Sequence, residues 1–341
     1  MKTVSQVISA AISLAIAVGL CYLANKVPAF VNLWFPRFSQ WILGVIGGVT
    51  GKVAIPIWEI GLVLLTLWGI YTLIRSILKL KFLRWLSGLL WTVSFITLTF
   101  VLLWGAGHFL PTKTEQMVTV NEYSVEELHA ATVYFGQKAD ETAGLGDFSD
   151  FSALAEKVGD GYAVLSDRYD CIPQTEVTVK KLLGGKLYNY LGLTGLFVPT
   201  TAEASVSAHC YPLSLPYTMA HEAAHRLGAA QEDDANFCAF LACIENPDPA
   251  YQYSAYFSAF VYCYNALYQA NPELALETFQ GLSQQVQTDI RGATEHYAPY
   301  KGKVQDAAQS VNDTYLKAMG QEGVRSYGLV SDALIAWYQQ K

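Results

Sequence analysis

Three long apolar runs open the chain. Residues 4–24 and 54–74 give 21 positions each, the second broken only by Glu59, and residues 86–110 give 25. About 20 apolar residues in a helix cross a hydrocarbon core of about 30 Å, so three transmembrane helices are expected. Trp34, Trp41, Trp58, Trp85 and Trp104 fall near the ends or flanks of these runs, where interfacial anchors sit. Past residue 111 the pattern becomes amphipathic with helical spacing. Helices are expected over 125–141, 151–158, 176–190, 216–227, 232–244, 251–269, 272–288, 303–319 and 324–339. The first follows a Ser124-x-x-Glu127 capping box. Asn246-Pro247-Asp248-Pro249 is a clear break. Residues 195–199 and 204–207 read as one or two short strands. Tyr251, Tyr253, Tyr256, Tyr262, Tyr264 and Tyr268 have helical spacing and read as core. The expected fold is mainly α: a membrane domain at 1–111, then an α-rich domain at 112–341 with a short β element.

Charge divides the chain at the same place. Residues 1–111 carry eight Lys/Arg and one acid, a net +7, and residues 112–341 carry 14 Lys/Arg and 28 Asp/Glu, a net −14. The acidic part has no basic patch, which excludes a nucleic-acid partner. Arg75, Lys79, Lys81 and Arg84 crowd the short loop between the second and third runs. That density marks the loop as cytoplasmic and places residues 112–341 outside the cytoplasmic membrane. Glu59 then lies near the outer end of its span as an interfacial carboxylate. The first run is longer than a signal core, no A-x-A site follows, and Cys21 follows Leu20; it reads as an uncleaved anchor. Five cysteines (Cys171, Cys210, Cys238, Cys243, Cys263) fall in the outer part with no CxxC pair, leaving either two disulfides and a thiol or no disulfide.

One motif carries chemistry. His221-Glu222-Ala223-Ala224-His225 spells HExxH. On a helix, positions i and i+4 share a face, so both imidazoles can reach one zinc ion, with Glu222 placed to act as general base on a zinc-bound water. Ser214 is a plausible cap and Pro216 suits the first turn. Gly228 suits a positive-φ helix end. A third ligand is needed. The residue at the position of a third histidine is Gln231, and His108, His129, His209 and His296 stand at no motif spacing. An acid is therefore expected: Glu232 first, with Asp233 or Asp234 as alternatives. His209, Tyr211 and Tyr327 are candidate donors to a developing oxyanion, and Glu203 is a candidate for orienting a substrate or ligand.

Several segments carry a resemblance: Gly195-Leu196-Phe197-Val198-Pro199, Glu203-Ala204, Leu215-Pro216-Tyr217-Thr218, the motif through Gly228, Glu232-Asp233-Asp234-Ala235-Asn236-Phe237 and Ser326-Tyr327-Gly328. On these residues the chain resembles a domain-of-unknown-function family of bacterial membrane proteins with three N-terminal spans and an external HExxH domain. The segment from Glu232 is also similar to the third-ligand segment of gluzincin-type peptidases. That resemblance implies a zincin-like domain in which Glu232 binds zinc and Asn236 supports a ligand. The expected function is a membrane-anchored zinc metallopeptidase acting on a peptide or protein in the cell envelope. Two alternatives are a zinc hydrolase of cell-wall amide crosslinks and a non-catalytic zinc-stabilised sensor or scaffold. Retention of Glu222 argues against the last, since a structural site needs no base.

Overall fold

The computed structural model describes residues 2–321, 323 and 330–341. It is mainly helical with a small three-stranded sheet. Contacts divide the chain into two units, Met1–Leu110 with Val198–Glu203, and Pro111–Phe197 with Ala204–Lys341.

In the first unit, α1 (Lys2–Lys26) is followed by α2 (Pro28–Asn32), α3 (Phe35–Thr50), α4 (Ile57–Leu78) and α5 (Phe82–Leu103). Three helices, Thr3–Lys26, Ile57–Leu78 and Phe82–Leu103, are long and apolar enough to cross a membrane. Ala10, Ala17 and Ala24 are buried at seven-residue intervals along α1. Small residues on one face let another helix approach closely, and α1 is tied to α5 by Ser87 Oγ donating to Gln6 at 2.9 Å and Trp91 Nε1 donating to Ser9 at 3.1 Å. The third span ends earlier than the apolar run suggests: α5 stops at Leu103 and a 3-10 turn covers Gly105–Phe109. Pro36, Gly44, Gly47 and Gly48 obscure the pattern of helix α3 along the chain; Phe35, Ser39 and Leu43 mark its inward face at four-residue spacing. Pro56 gives α4 no side-chain cap. Glu203 supplies one instead, accepting from Ile57 N at 2.8 Å and Trp58 N at 3.0 Å. The carboxylate satisfies two amides left open at a helix start and complements its dipole. Glu203 is thus buried as a structural cap, not displayed to a substrate.

The second unit runs α6 (Thr114–Met117), α7 (Val125–Thr142), α8 (Phe151–Arg168), β1 (Val179–Lys181), α9 (Gly185–Tyr190), β2 (Gly195–Val198), β3 (Glu203–Val206), α10 (Leu215–Arg226), α11 (Glu232–Glu245), α12 (Pro249–Ala270), α13 (Pro272–Gln280), α14 (Gln284–Tyr297), α15 (Lys303–Ala318) and α16 (Val330–Gln340). The capping box on α7 is formed. The expected helix at 176–190 is instead β1 plus the short α9. Val177 and Val179 are both buried two residues apart, the period of a strand, and Gly184-Gly185 separates that strand from α9. The expected helix at 272–288 divides in two, because Ser283 caps a new start by accepting from Val286 N. Helix α8 extends ten residues beyond its expected end. Of 324–339, residues 324–329 lie outside the described residues.

Helix α11 is buried on all sides from Asp234 to Cys243 and forms the centre of the core, with α8, α10, α12 and α16 around it. Glycine and alanine allow the close approach: a Cβ on Gly161 of α8 would lie 1.8 Å from the Ala242 carbonyl oxygen of α11. Of the α12 tyrosines expected in the core, Tyr251 and Tyr253 are buried, Tyr256, Tyr262 and Tyr264 pack half-buried against it, and Tyr268 is exposed because it lies on the solvent face near the helix end. Buried tyrosines bring their polar ends to partners, as Tyr162 does in donating to Ala220 O at 2.7 Å. The six cysteines are free thiols. The sheet order is β1-β3-β2, with β1 parallel to β3 in the register Val179↔Ala204 and Lys181↔Val206. β3 is central and β2 is an edge.

Candidate metal centre

Pro212–Ser214 forms a 3-10 turn that leads into α10, so Ser214 does not act as a side-chain cap. Pro216 takes the first turn as expected. At the other end Gly228 has φ +94° and Ala229 N donates back to Ala224 O at 3.0 Å. This turn needs the left-handed backbone that glycine accepts. It also brings the Ala229 carbonyl within 2.6 Å of His225 Nδ1.

Helix α11 starts shortly after this turn, with Glu232 as its first residue. Glu232 Oε2 lies 3.3 Å from His221 Nε2 and 3.6 Å from His225 Nε2. The donor atoms of the three residues all fall within 4.8 Å of one another. Ligands about 2.0–2.1 Å from one tetrahedral zinc would be about 3.3 Å apart, so the spacing fits the ion. The tautomers fit as well. His225 Nδ1 faces a carbonyl and His221 Nδ1 lies 2.8 Å from Asn236 Oδ1, both acceptors only, so each Nδ1 donates and each Nε2 is turned toward Glu232. Asn236 Oδ1 also accepts from Tyr262 Oη at 3.3 Å, and the Asn236 carbonyl accepts from Tyr217 Oη at 2.8 Å. Two imidazoles and a carboxylate suit zinc.

Without an ion, the cluster balances its own charge. Burial raises the Glu232 carboxyl, but hydrogen bonds from His221 and His225 outweigh it and hold the group well below the ordinary carboxylate range. For His225, burial works downward and Glu232 outweighs it, bringing the imidazole up to about 9. Glu222 differs. Burial pushes it up to about 7, against the two imidazoles and with the Glu232 charge adding. Among the described residues its Oε2 has no hydrogen-bond partner. Its carboxyl lies against Gly195, the first residue of β2, where a Cβ would stand 2.6 Å from Glu222 Oε1.

The other acids of the Glu232 turn point elsewhere. Asp234 accepts from Thr114 N at 2.8 Å, Thr114 Oγ1 at 2.8 Å and Lys113 N at 3.2 Å, capping α6. Asp233 is not in the cluster, and burial brings its carboxyl up to about 6. His209 is exposed, and its carbonyl accepts from Asn189 and His296. Tyr211 packs on Phe257 and His296 with its hydroxyl against Gly292. Among the described residues neither side chain belongs to the cluster of three donors. Tyr327 lies outside the described residues. The sequence assigns no site role to Gly195, Ala229, Tyr262 or Gln321, whose Oε1 accepts from Glu232 N at 3.3 Å. The positive φ at Gly228 was the one signal that could have pointed to Ala229. A cavity of about 680 Å³ adjoins the residues before β2, between Leu191–Leu193 and α15; Tyr315 on its wall feels the charge of Glu232. Among the described residues no charged side chain lines it.

No curated protein and no solved structure matches the chain. A family model described as "Protein of unknown function (DUF3810)" matches residues 34–335, from the residue that precedes α3 to within α16, and the chain belongs to that family.

Proposed function

We propose that the protein is a membrane-anchored zinc metallopeptidase whose second unit works outside the cytoplasmic membrane on a peptide or protein of the cell envelope. The observation that carries this reading is the convergence of His221, His225 and Glu232 with a separate carboxylate, Glu222, beside them. A purely structural site has no use for that fourth group.

His221, His225 and Glu232 would hold a zinc ion, which would supply Lewis acidity toward a carbonyl and a water. Asn236 and Ala229 fix the imidazoles so that both Nε2 atoms face one point. Glu222 Oε2, buried and without a hydrogen-bond partner among the described residues, takes a proton from the water and returns it to the leaving amine. Burial tunes it toward neutrality, where a carboxylate can do both. Gly195 keeps this carboxyl against the head of β2. Because β2 is an edge strand, a substrate backbone paired along it would be delivered beside Glu222. The uncharged cavity before β2 suits an apolar substrate side chain.

The experiment is metal analysis of the full chain with digestion of a broad peptide library, run beside Glu222→Gln. Bound zinc with cleavage in the wild type, and zinc without cleavage in the variant, support the reading. Zinc without cleavage of any peptide in the wild type overturns the peptidase and favours a wall amide or a sensor.

A further inference from the structure

The first unit contains a cavity of about 710 Å³ between α4 and α5, with Gln6 of α1 on its wall. Its two ends differ. Arg75, Lys79, Lys81 and Arg84 line one end, with Thr72, Ser76 and Trp85. Leu65, Trp68, Leu89, Val93 and Ile96 line the other. Among the described residues no acid lines it and none of the four cations forms an ion pair. The acids of this unit, Glu59 and Glu203, stand at the opposite end of α4. Arg75 is 16 residues along the helix from Glu59, about 24 Å at 1.5 Å per residue.

A basic loop alone is explained by membrane topology. A cavity that joins the basic loop to an apolar, tryptophan-bearing wall inside the span is not. Charges that only orient a protein need no pocket, and an apolar wall needs no cations. Together they match a molecule with an anionic head and hydrocarbon chains. The Trp85 indole, donating to Thr72 Oγ1 at 3.2 Å, holds α5 to α4 at the junction of the two ends. We propose that this cavity binds one anionic phospholipid, the phosphate held by Arg75, Lys79, Lys81 and Arg84 and an acyl chain laid along Leu65, Trp68, Leu89, Val93 and Ile96. The lipid would stay with the protein as a bound component of the membrane unit, independently of the chemistry at the zinc cluster.

The test is native mass spectrometry of the full chain in detergent, titrated with phosphatidylglycerol, with phosphatidylcholine of the same chains, and with inorganic phosphate. One phosphatidylglycerol should be retained in preference to phosphatidylcholine. Lys81→Gln and Arg84→Gln should each weaken it about fivefold. Gly69→Leu separates a cavity from diffuse attraction. Gly69 lines the cavity, and a Cβ there meets nothing within 4 Å, so the larger side chain enters the lipid's space with every cation intact. This variant should keep its helix content by circular dichroism and lose the selective binding. Equal retention of both lipids, unchanged binding in Gly69→Leu, or binding of inorganic phosphate as tight as the lipid's would each overturn the proposal.

Discussion

Glu222 rests directly on the backbone of Gly195: a Cβ at position 195 would stand 2.6 Å from Oε1 and 2.7 Å from Cγ of Glu222. The edge strand and the proposed base are therefore placed by one contact, which only glycine permits. Gly195→Ala should push the carboxyl away without touching a ligand. The expected outcome is retained zinc with hydrolysis reduced by at least about 10²-fold, since the loss is that of general-base positioning. Zinc content and peptide turnover, measured on one preparation, check it. Undiminished turnover would remove Gly195 from the site.

The ligand assignment separates neighbouring acids. Glu232→Ala should abolish stoichiometric zinc, whereas Asp233→Ala should leave it. Asn236→Ala removes the acceptor of His221 Nδ1 and should weaken zinc about 10–100-fold. Competition with a chelator of known affinity measures all three. Loss of zinc in Asp233→Ala alone would reassign the third donor.

A zinc ion at this cluster would compete with protons. His225 in the free site titrates up at about 9, above its ordinary 6.5, because Glu232 stabilises the imidazolium against the burial that opposes it. At pH 7 the site therefore holds a proton that a zinc ion would displace. Apparent affinity should rise with pH by about tenfold per unit through this range and level off above it. Calorimetry in buffers of different ionisation enthalpy should find about one proton released at pH 7. An affinity independent of pH between 7 and 9 would contradict the coupling.

The crossing of α8 and α11 fixes the helix that carries Glu232. Gly161→Ala would force a methyl to within 1.8 Å of the Ala242 carbonyl, and backbone must move. A loss of about 1–3 kcal/mol or more is expected in chemical denaturation. A variant as stable as the wild type would mean that the helices separate freely.

Orientation is open to direct labelling. A single cysteine at Thr114 should react with an impermeant reagent in intact cells, and one in the 75–84 loop should not. The reverse pattern would put the His221, His225 and Glu232 cluster inside the cell.

Much of the architecture was legible along the chain because its causes are local. The three apolar runs, the Ser124–Glu127 capping box and the positive-φ end at Gly228 each depend on a few consecutive residues, and spacing alone puts His221 and His225 on one face. Packing decided the rest. Glu232 and Asp234 are the same chemistry two positions apart, but on a helix that is about 200° of rotation. The docking of α11 on α10 turned Glu232 to the imidazoles and left Asp234 to cap α6. The roles of Gly195 and Asn236 likewise come from partners 27 and 15 residues away in sequence, and the Glu203 cap on α4 from one 146 residues away. β1 reads as helix along the chain because apolar spacing over a few residues does not separate the two periods until β3 lies alongside. The sequence by itself determined which segments are apolar enough for a membrane and which residue types could meet a metal. Only the tertiary structure decided which of those residues face one another, because that depends on the rotation of one helix against another, and no run of neighbouring residues encodes it.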